Sequence, residues 1–200
     1  PELWEIMARG KYVSLGERIF NNWEVVEYTE EEIKSFDKLR HGIDWGFYPD
    51  PFRYLKVNVD PKRKIIDIIK EISLLEATNE KAIKEVEPNL ENGYYHIKAD
   101  SSEPKSIRDF KLAGIRISPA KKGPGSVDYG IKKLQEYKIR INKECIETIS
   151  DFRNYKRKKD KDGKIMAEPI DAFNHSPDVV RYIMEDFNEV PSAVNISGLN

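Results

Sequence analysis

Apolar residues crowd between positions 39 and 75, where their spacing is close to two. The stretch "LRHGIDWGF" reads as a strand, and "YPDP" after it is rich in residues that set turn geometry. "FRYLKVNV" then alternates, with Leu55, Val57 and Val59 against Tyr54, Lys56 and Asn58. "DPKR" is a second turn, and "KIIDIIKEISLL" supplies a third, β-branched strand. Connections this short require an antiparallel meander.

Beyond residue 77 the period changes. "TNEKAIKEVEPNL" is helical, with Thr78 as N-cap and Ala82, Ile83 and Val86 on one face. "GYYHIKAD" is a strand ending at Asp100. "SEPKSIRDFKLAG" is a short helix with Ser102 as cap and Gly114 past its end. "IRIS" is a strand, "GSVDYGIKKLQEYK" a helix capped by Ser126, "KIRIN" a strand, and "KECIETISDF" a helix. "RNYKRKKDKDGKIMAEP" reads as a basic hairpin turning at "KDG". A last helix runs from about Ser176 to Phe187, with Pro177 at its first position and Val179, Val180, Ile183, Met184 and Phe187 on its buried stripe.

The expected fold is therefore α/β: a mixed sheet of five or more strands, three antiparallel and the rest added by right-handed crossovers, flanked by helices. This order sets the strand of Asp100 beside that of Asp44, both running the same way. Ligands bind at carboxyl strand ends where such a sheet changes direction. Residues 1–36 read as a linker or packing arm, with a short strand at Trp23–Tyr28 and an acidic helix at Glu30–Phe36. Residues 37–190 read as the folded domain and 191–200 as a tail.

Charge refines the picture. The net charge is −1, so no global bias points to nucleic acid or membrane. Residues 1–36 hold eight acidic against four basic side chains, whereas residues 105–140 hold ten basic against three acidic. Residues 153–164 hold seven basic against two acidic. The back half carries a local positive field, although each single lysine is also explained as a solubilising one. The one cysteine, Cys145, excludes a disulfide framework and fits a buried small hydrophobe. No apolar run approaches membrane-spanning length and no signal peptide is visible, which fits a cytosolic setting. The chain starts at Pro1 without Met, as an excised domain of something longer would.

Asp44 lies in the otherwise apolar "GIDWG". Asp100 ends a strand ahead of a helix, and Asp178 stands in the first turn of the last helix, where the dipole favours a carboxylate. Each has a good structural explanation alone. The expected topology puts Asp44 and Asp100 on adjacent strand ends, and a last helix packed across them would bring Asp178 in as a third. Converging carboxylates persist only when something cationic neutralises them. Hard divalent ions, Mg²⁺ or Mn²⁺, take oxygen ligands of this kind, and His175 adds a nitrogen that Mn²⁺ tolerates better. Asp160 and Asp162 in "DKDG" lack the later ligands of a calcium loop and read as a turn. His41 and His96 read as structural. Glu71 and Glu76 are candidates for a fourth carboxylate. Ser101 and Ser102 suit caps better than nucleophiles.

Three stretches in this order and spacing, "GIDWGFYPDP", "KADSSEPKSI" and "EPIDAFNHSPDVVRY", resemble the nuclease domain of tailed-bacteriophage terminase large subunits, over roughly residues 15–187. The basic hairpin before the last motif is also typical of that family. The resemblance implies an RNase H-like fold and a metal-dependent endodeoxyribonuclease that cuts concatemeric double-stranded viral DNA during genome packaging. It implies two divalent ions, Mg²⁺ or Mn²⁺, held by Asp44, Asp100 and Asp178, with His175 as a further ligand. Asp171 matches a recurrent position and either supports a ligand or caps the chain before the helix. Lys105, Lys121, Lys122, Lys156, Arg157, Lys158 and Lys159 would then hold DNA by its phosphates. The family's motor is an ATPase domain ahead of the nuclease. No G-x-x-x-x-G-K-[ST] loop exists here, so this chain would be the C-terminal part. The implied partners are double-stranded DNA, the N-terminal packaging ATPase, the small terminase subunit and the portal, without a membrane, in the cytoplasm of a bacterial host. The competing expectations are an RNase H-like resolvase or recombinase, and a non-catalytic DNA-binding or capsid-docking module.

Overall fold

The computed structural model describes residues 18–91 and 95–187. The start of the expected arm, part of "GYYHIKAD" and the expected tail fall outside the described residues.

In chain order the elements are β1 (Trp23–Val26), α1 (Glu30–Ser35), β2 (Leu39–Asp44), β3 (Phe52–Asp60), β4 (Ile65–Leu74), α2 (Asn79–Val86), β5 (Ile97–Ala99) and α3 (Pro104–Leu112). There follow β6 (Ile117–Pro119), α4 (Ser126–Gln135), β7 (Lys138–Asn142), α5 (Ile146–Asn154), β8 (Arg157–Lys159), β9 (Ile165–Pro169) and α6 (His175–Met184). Seven strands form one mixed sheet in the order β1-β7-β4-β3-β2-β5-β6. β2, β3 and β4 pair antiparallel, as the two short turns require. In the second turn the Asp60 carboxylate accepts from the Lys62 and Arg63 N–H groups at 3.0 and 3.1 Å. β5 adds parallel to β2, β6 to β5, β7 to β4 and β1 to β7. β8 and β9 form the separate basic hairpin.

The period of two sorts side chains onto two faces, and helices cover both. Leu55, Val57, Val59, Ile66, Ile68, Ile139 and Ile141 meet Ile131 of α4, Phe152 of α5 and Val179, Val180 and Ile183 of α6. On the other face Ile43, Phe52, Tyr54, Ile97 and Ala99 meet Ala82 and Val86 of α2 and Ile107 and Phe110 of α3. This explains why the face of β3 expected to be polar is buried: Tyr54 lies under helices, and its hydroxyl is 2.8 Å from His41 Nδ1. His41 Nε2 is 2.8 Å from Glu91, so both ring nitrogens serve the fold.

Within the segment expected as an arm, β1 is an edge strand of the main sheet, and Ile19 and Phe20 are buried in the first core. Thr29 and Glu32 form a reciprocal capping box on α1. Thr78 caps α2 as expected. Two expected caps differ. The N-cap of α4 is Gly125, whose φ of 76° is left-handed, and Ser126 is the first helical residue. α6 begins at His175, so Pro177 is its third residue.

α6 runs against β2, β3 and β5. The approach to β2 is close because Gly42 has no side chain. A Cβ there would lie 2.6 Å from Val179 Cγ1 and 2.9 Å from Ile183 Cγ1. That packing carries the N-terminal turn of α6 to the carboxyl ends of β2 and β5.

Candidate metal centre at the sheet edge

Asp44 ends β2, and Asp100 directly follows β5. The Asp100 N–H donates to Ile43 O at 2.9 Å, extending the parallel ladder to the acids themselves. The Trp45 indole N–H donates to Asp100 O at 2.8 Å, tying the two strand ends together. Ile43 and Ala99 face the second core, so by alternation Asp44 and Asp100 face α6. α6 supplies His175 and Asp178 from its first turn.

The four side chains are largely buried and electrostatically joined. The Asp44 carboxylate accepts a hydrogen bond from His175 Nδ1 at 3.0 Å. Burial pushes the Asp44 carboxyl above its ordinary range; the His175 hydrogen bond offsets part of this, and the Asp100 charge adds to it. Asp178 is pushed up to about 6, chiefly by burial, with Arg181 opposing and Asp44 reinforcing. Burial also acts on Asp100, but Lys122 and Ser102 outweigh it and hold that carboxyl low. His175 would be lowered by burial, yet Asp44 overrides this and raises it.

Each acid is matched by a side-chain cation. Lys122 Nζ pairs with Asp100. Arg181 grips Asp178 through Nε at 3.1 Å and Nη2 at 2.8 Å. His175 also lies 3.6 Å from Asp50 through Nε2. Among the described residues no three His, Cys, Asp or Glu side chains form a ready-made cage. The donor set still fits a hard divalent ion in kind: three carboxylates, two of them desolvated, and one imidazole whose Nδ1 faces a carboxylate. Lys122 and Arg181 hold the oxygens that such an ion would take.

The remaining sequence candidates are spread more widely. Asp171 is exposed and accepts from Asn174 Nδ2 at 3.4 Å, just ahead of α6. Ser102 is a partner of Asp100 rather than a helix cap: its N–H and hydroxyl donate to that carboxylate at 3.0 and 2.8 Å, and Glu103 is the N-cap of α3. Glu71 does not join the acids. It caps the N-terminus of α5, accepting from the Glu147 and Thr148 N–H groups at 3.0 and 2.8 Å. Lys105 is exposed on α3. On the hairpin, Lys158 pairs with Glu168 and Arg157 donates to Ala167 O.

Two recesses meet at Asp178. One, of about 390 Å³, is lined by Lys98, Lys121, Lys122, Tyr129, Arg181 and Tyr182. The other, of about 640 Å³, lies between the α4 N-terminus and the hairpin and includes Tyr155, Lys158 and Asp171. Sequence reasoning assigned Arg181 no role, although its i+3 spacing from Asp178 marks it as a helical neighbour. It gave none to Arg53 or Asp151 either, whose partners lie far away in the chain.

A mixed sheet in this order, flanked by helices and with acids gathered at the ends of two parallel strands, is an RNase H-like fold. Residues 44–186 match the family model described as "Terminase RNAseH like domain", and the chain belongs to that family. It is 34% identical over 194 residues to the terminase large subunit of Bacillus phage SPP1, covering 90% of this chain and 45% of that protein. It is 29% identical over 192 residues to the PBSX phage terminase large subunit of Bacillus subtilis (strain 168), covering 94% of this chain and 44% of that protein. The chain thus spans less than half the length of these relatives. Among solved structures it resembles the large terminase nuclease domain of bacteriophage SPP1 with bound Mn, with a TM-score of 0.78 and 33% identity, covering 84% of this chain and 98% of that one.

Proposed function

We propose that this domain is a divalent-metal-dependent endodeoxyribonuclease that cuts concatemeric double-stranded viral DNA as genomes are packaged. One observation carries the reading. Asp44, Asp100 and Asp178 come from three distant parts of the chain to one sheet edge, where burial raises two of them and every one needs a cation. The Mn-bound nuclease domain with the same fold supports the choice of ion.

In this reading Asp44, Asp100, Asp178 and His175 hold two ions, Mg²⁺ or Mn²⁺. Bound ions supply Lewis acidity at a phosphate and lower the pKa of a bound water. The protein's part is to hold the ligands still. Asp44 ends a strand paired on both sides, so it would be the most rigidly held of the ligands. Neutral His175 donating from Nδ1 to Asp44 would leave Nε2 as the nitrogen that could ligate an ion. Lys122 and Arg181 pair with the carboxylates that would hold the ions, and they would also stand beside the site as cations for a phosphate.

Lys105, Lys121, Lys122 and the hairpin residues Lys156, Arg157, Lys158 and Lys159 would grip the duplex by its phosphates. Such interactions are sequence-tolerant and weaken with salt. Asp171, at the entrance to α6, would support the ligand turn. We further propose that the domain works within a large subunit carrying a packaging ATPase, with the small terminase subunit and the portal as partners, in the host cytoplasm.

The test is plasmid cleavage in Mn²⁺. Loss of an outer partner of a metal ligand costs about 10–100-fold, so Asp44→Ala, Asp100→Ala and Asp178→Ala should each lose more than about 100-fold. Unchanged cleavage by all three variants refutes the assignment. Preference for a four-way junction or an RNA–DNA hybrid over plasmid moves the domain to the resolvase class.

A further inference from the structure

Behind the acid cluster lies a buried ionic group that the proposed chemistry does not use. Arg53 is 1% exposed and sits on β3 directly opposite Asp44 of β2. Its guanidinium lies among carboxylates of β4 and α5. Nη1 lies 3.7 Å from Glu71, and Nη2 lies 3.6 Å from Asp151 and 3.9 Å from the more exposed Glu147. Among the described residues Arg53 Nε and Nη1 have no hydrogen-bond partner, so the guanidinium serves as a charge held between carboxylates.

Glu71 and Asp151 are both committed to helix N-termini. Glu71 accepts from the first N–H groups of α5 and from the Thr148 hydroxyl at 2.7 Å. Asp151 accepts from the Ser176 N–H at 3.0 Å and the Ser176 hydroxyl at 2.7 Å. The Thr148 and Ser176 hydroxyls are 3.0 Å apart, which closes the ring. Ser176 stands between His175 and Asp178, in the turn that bears both.

We propose that Arg53 and Asp151 are positioning residues: an ionic clamp, fixed to the sheet beside Asp44, that sets the α6 turn and so the distance between its two ligands and the strand acids. The inference rests on the metal-nuclease reading above. The physical case is directional. Hydrophobic packing of α6 on β2 fixes its depth, but apolar packing alone leaves a helix free to slide by fractions of an ångström. Hydrogen bonds from one particular N–H and hydroxyl to a buried, charge-matched carboxylate remove that freedom. A site whose ligands come from both the sheet and the helix needs such a reference.

The experiment measures Mn²⁺ binding by titration calorimetry on the DNA-free protein, together with kcat, KM for plasmid and circular dichroism. Asp151→Asn keeps the shape but removes the charge. It should fold, bind Mn²⁺ about tenfold or more weakly and lose kcat in proportion, with KM little changed. Ser176→Ala, a milder change, should move the same readouts in the same direction by less and covers the case in which Asp151→Asn fails to fold. Arg53→Lys should retain more Mn²⁺ affinity than Arg53→Met. If Asp151→Asn and Ser176→Ala only lower the melting temperature, and Mn²⁺ affinity and kcat below it match wild type, the clamp has no positioning role. Asp44→Ala separates the two readings. If it too binds Mn²⁺ like wild type, the metal assignment has failed; if it alone loses binding, only the clamp has.

Discussion

At the scale of single residues, Gly42 shows how little room the site leaves. An added methyl would meet Val179 and Ile183 well inside van der Waals distance. Overpacking of this kind costs about 1–3 kcal/mol. Gly42→Ala should therefore lower stability by about that much in urea unfolding. Because α6 must move away from β2, it should also weaken Mn²⁺ binding, which calorimetry would register. A lower stability with unchanged affinity would mean that helix depth does not set the ligands. Asp44, Asp100, Asp178 and His175 were all legible at this scale as candidate ligands, since carboxylates at apolar strand ends and in a first helical turn stand out. Their counter-ions were not. Lys122 stood out only as one of many lysines, and its pairing with Asp100 depends on a loop path that no local pattern encodes.

At the scale of elements, the period of the apolar positions revealed most strands and helices, and the shortness of two turns dictated the antiparallel meander. Caps were read less well. Ser126 and Ser102 looked like N-caps because serine favours that position, but a left-handed glycine took one place and the Asp100 carboxylate claimed the other hydroxyl. The basic hairpin of β8 and β9 was visible from its charge and its "KDG" turn. Neutralising Lys156, Arg157, Lys158 and Lys159 together should weaken duplex binding and flatten its salt dependence, by up to about 0.9 in log–log slope for each phosphate that the hairpin neutralises. Fluorescence anisotropy over a salt series measures both, and unaltered binding would remove the hairpin from the DNA footprint.

At the scale of the whole molecule, the described residues 18–36 pack onto the sheet. β1 extends the sheet, and Phe20 is fully buried against Phe152 and Tyr155, with ring centroids 5.3 and 6.2 Å away. Its polar composition suggested an arm, because an edge strand needs only one buried face and two apolar anchors to join a core. Phe20→Ala should cost about 3–5 kcal/mol in denaturant unfolding, and a chain starting at residue 37 should lose its cooperative transition. A cost below about 1 kcal/mol, the range of ordinary surface substitutions, would show that the arm packs without supporting the fold.

The sequence by itself determined the alternation of strands and helices, the neighbouring of the Asp44 and Asp100 strands, and the identity of the acids. Periodicity, turn length and crossover handedness are local or topological rules, and they act whatever the detailed packing. Only the tertiary structure decided which cation sits on which acid, that α6 presses on Gly42, and that Asp151, paired with Arg53, accepts from Ser176 in the first turn of α6. Such relations reach 25 positions along the chain from Asp151 to Ser176, and 131 from Asp44 to His175. They are set by burial, where a charge must find a partner whatever its distance along the chain.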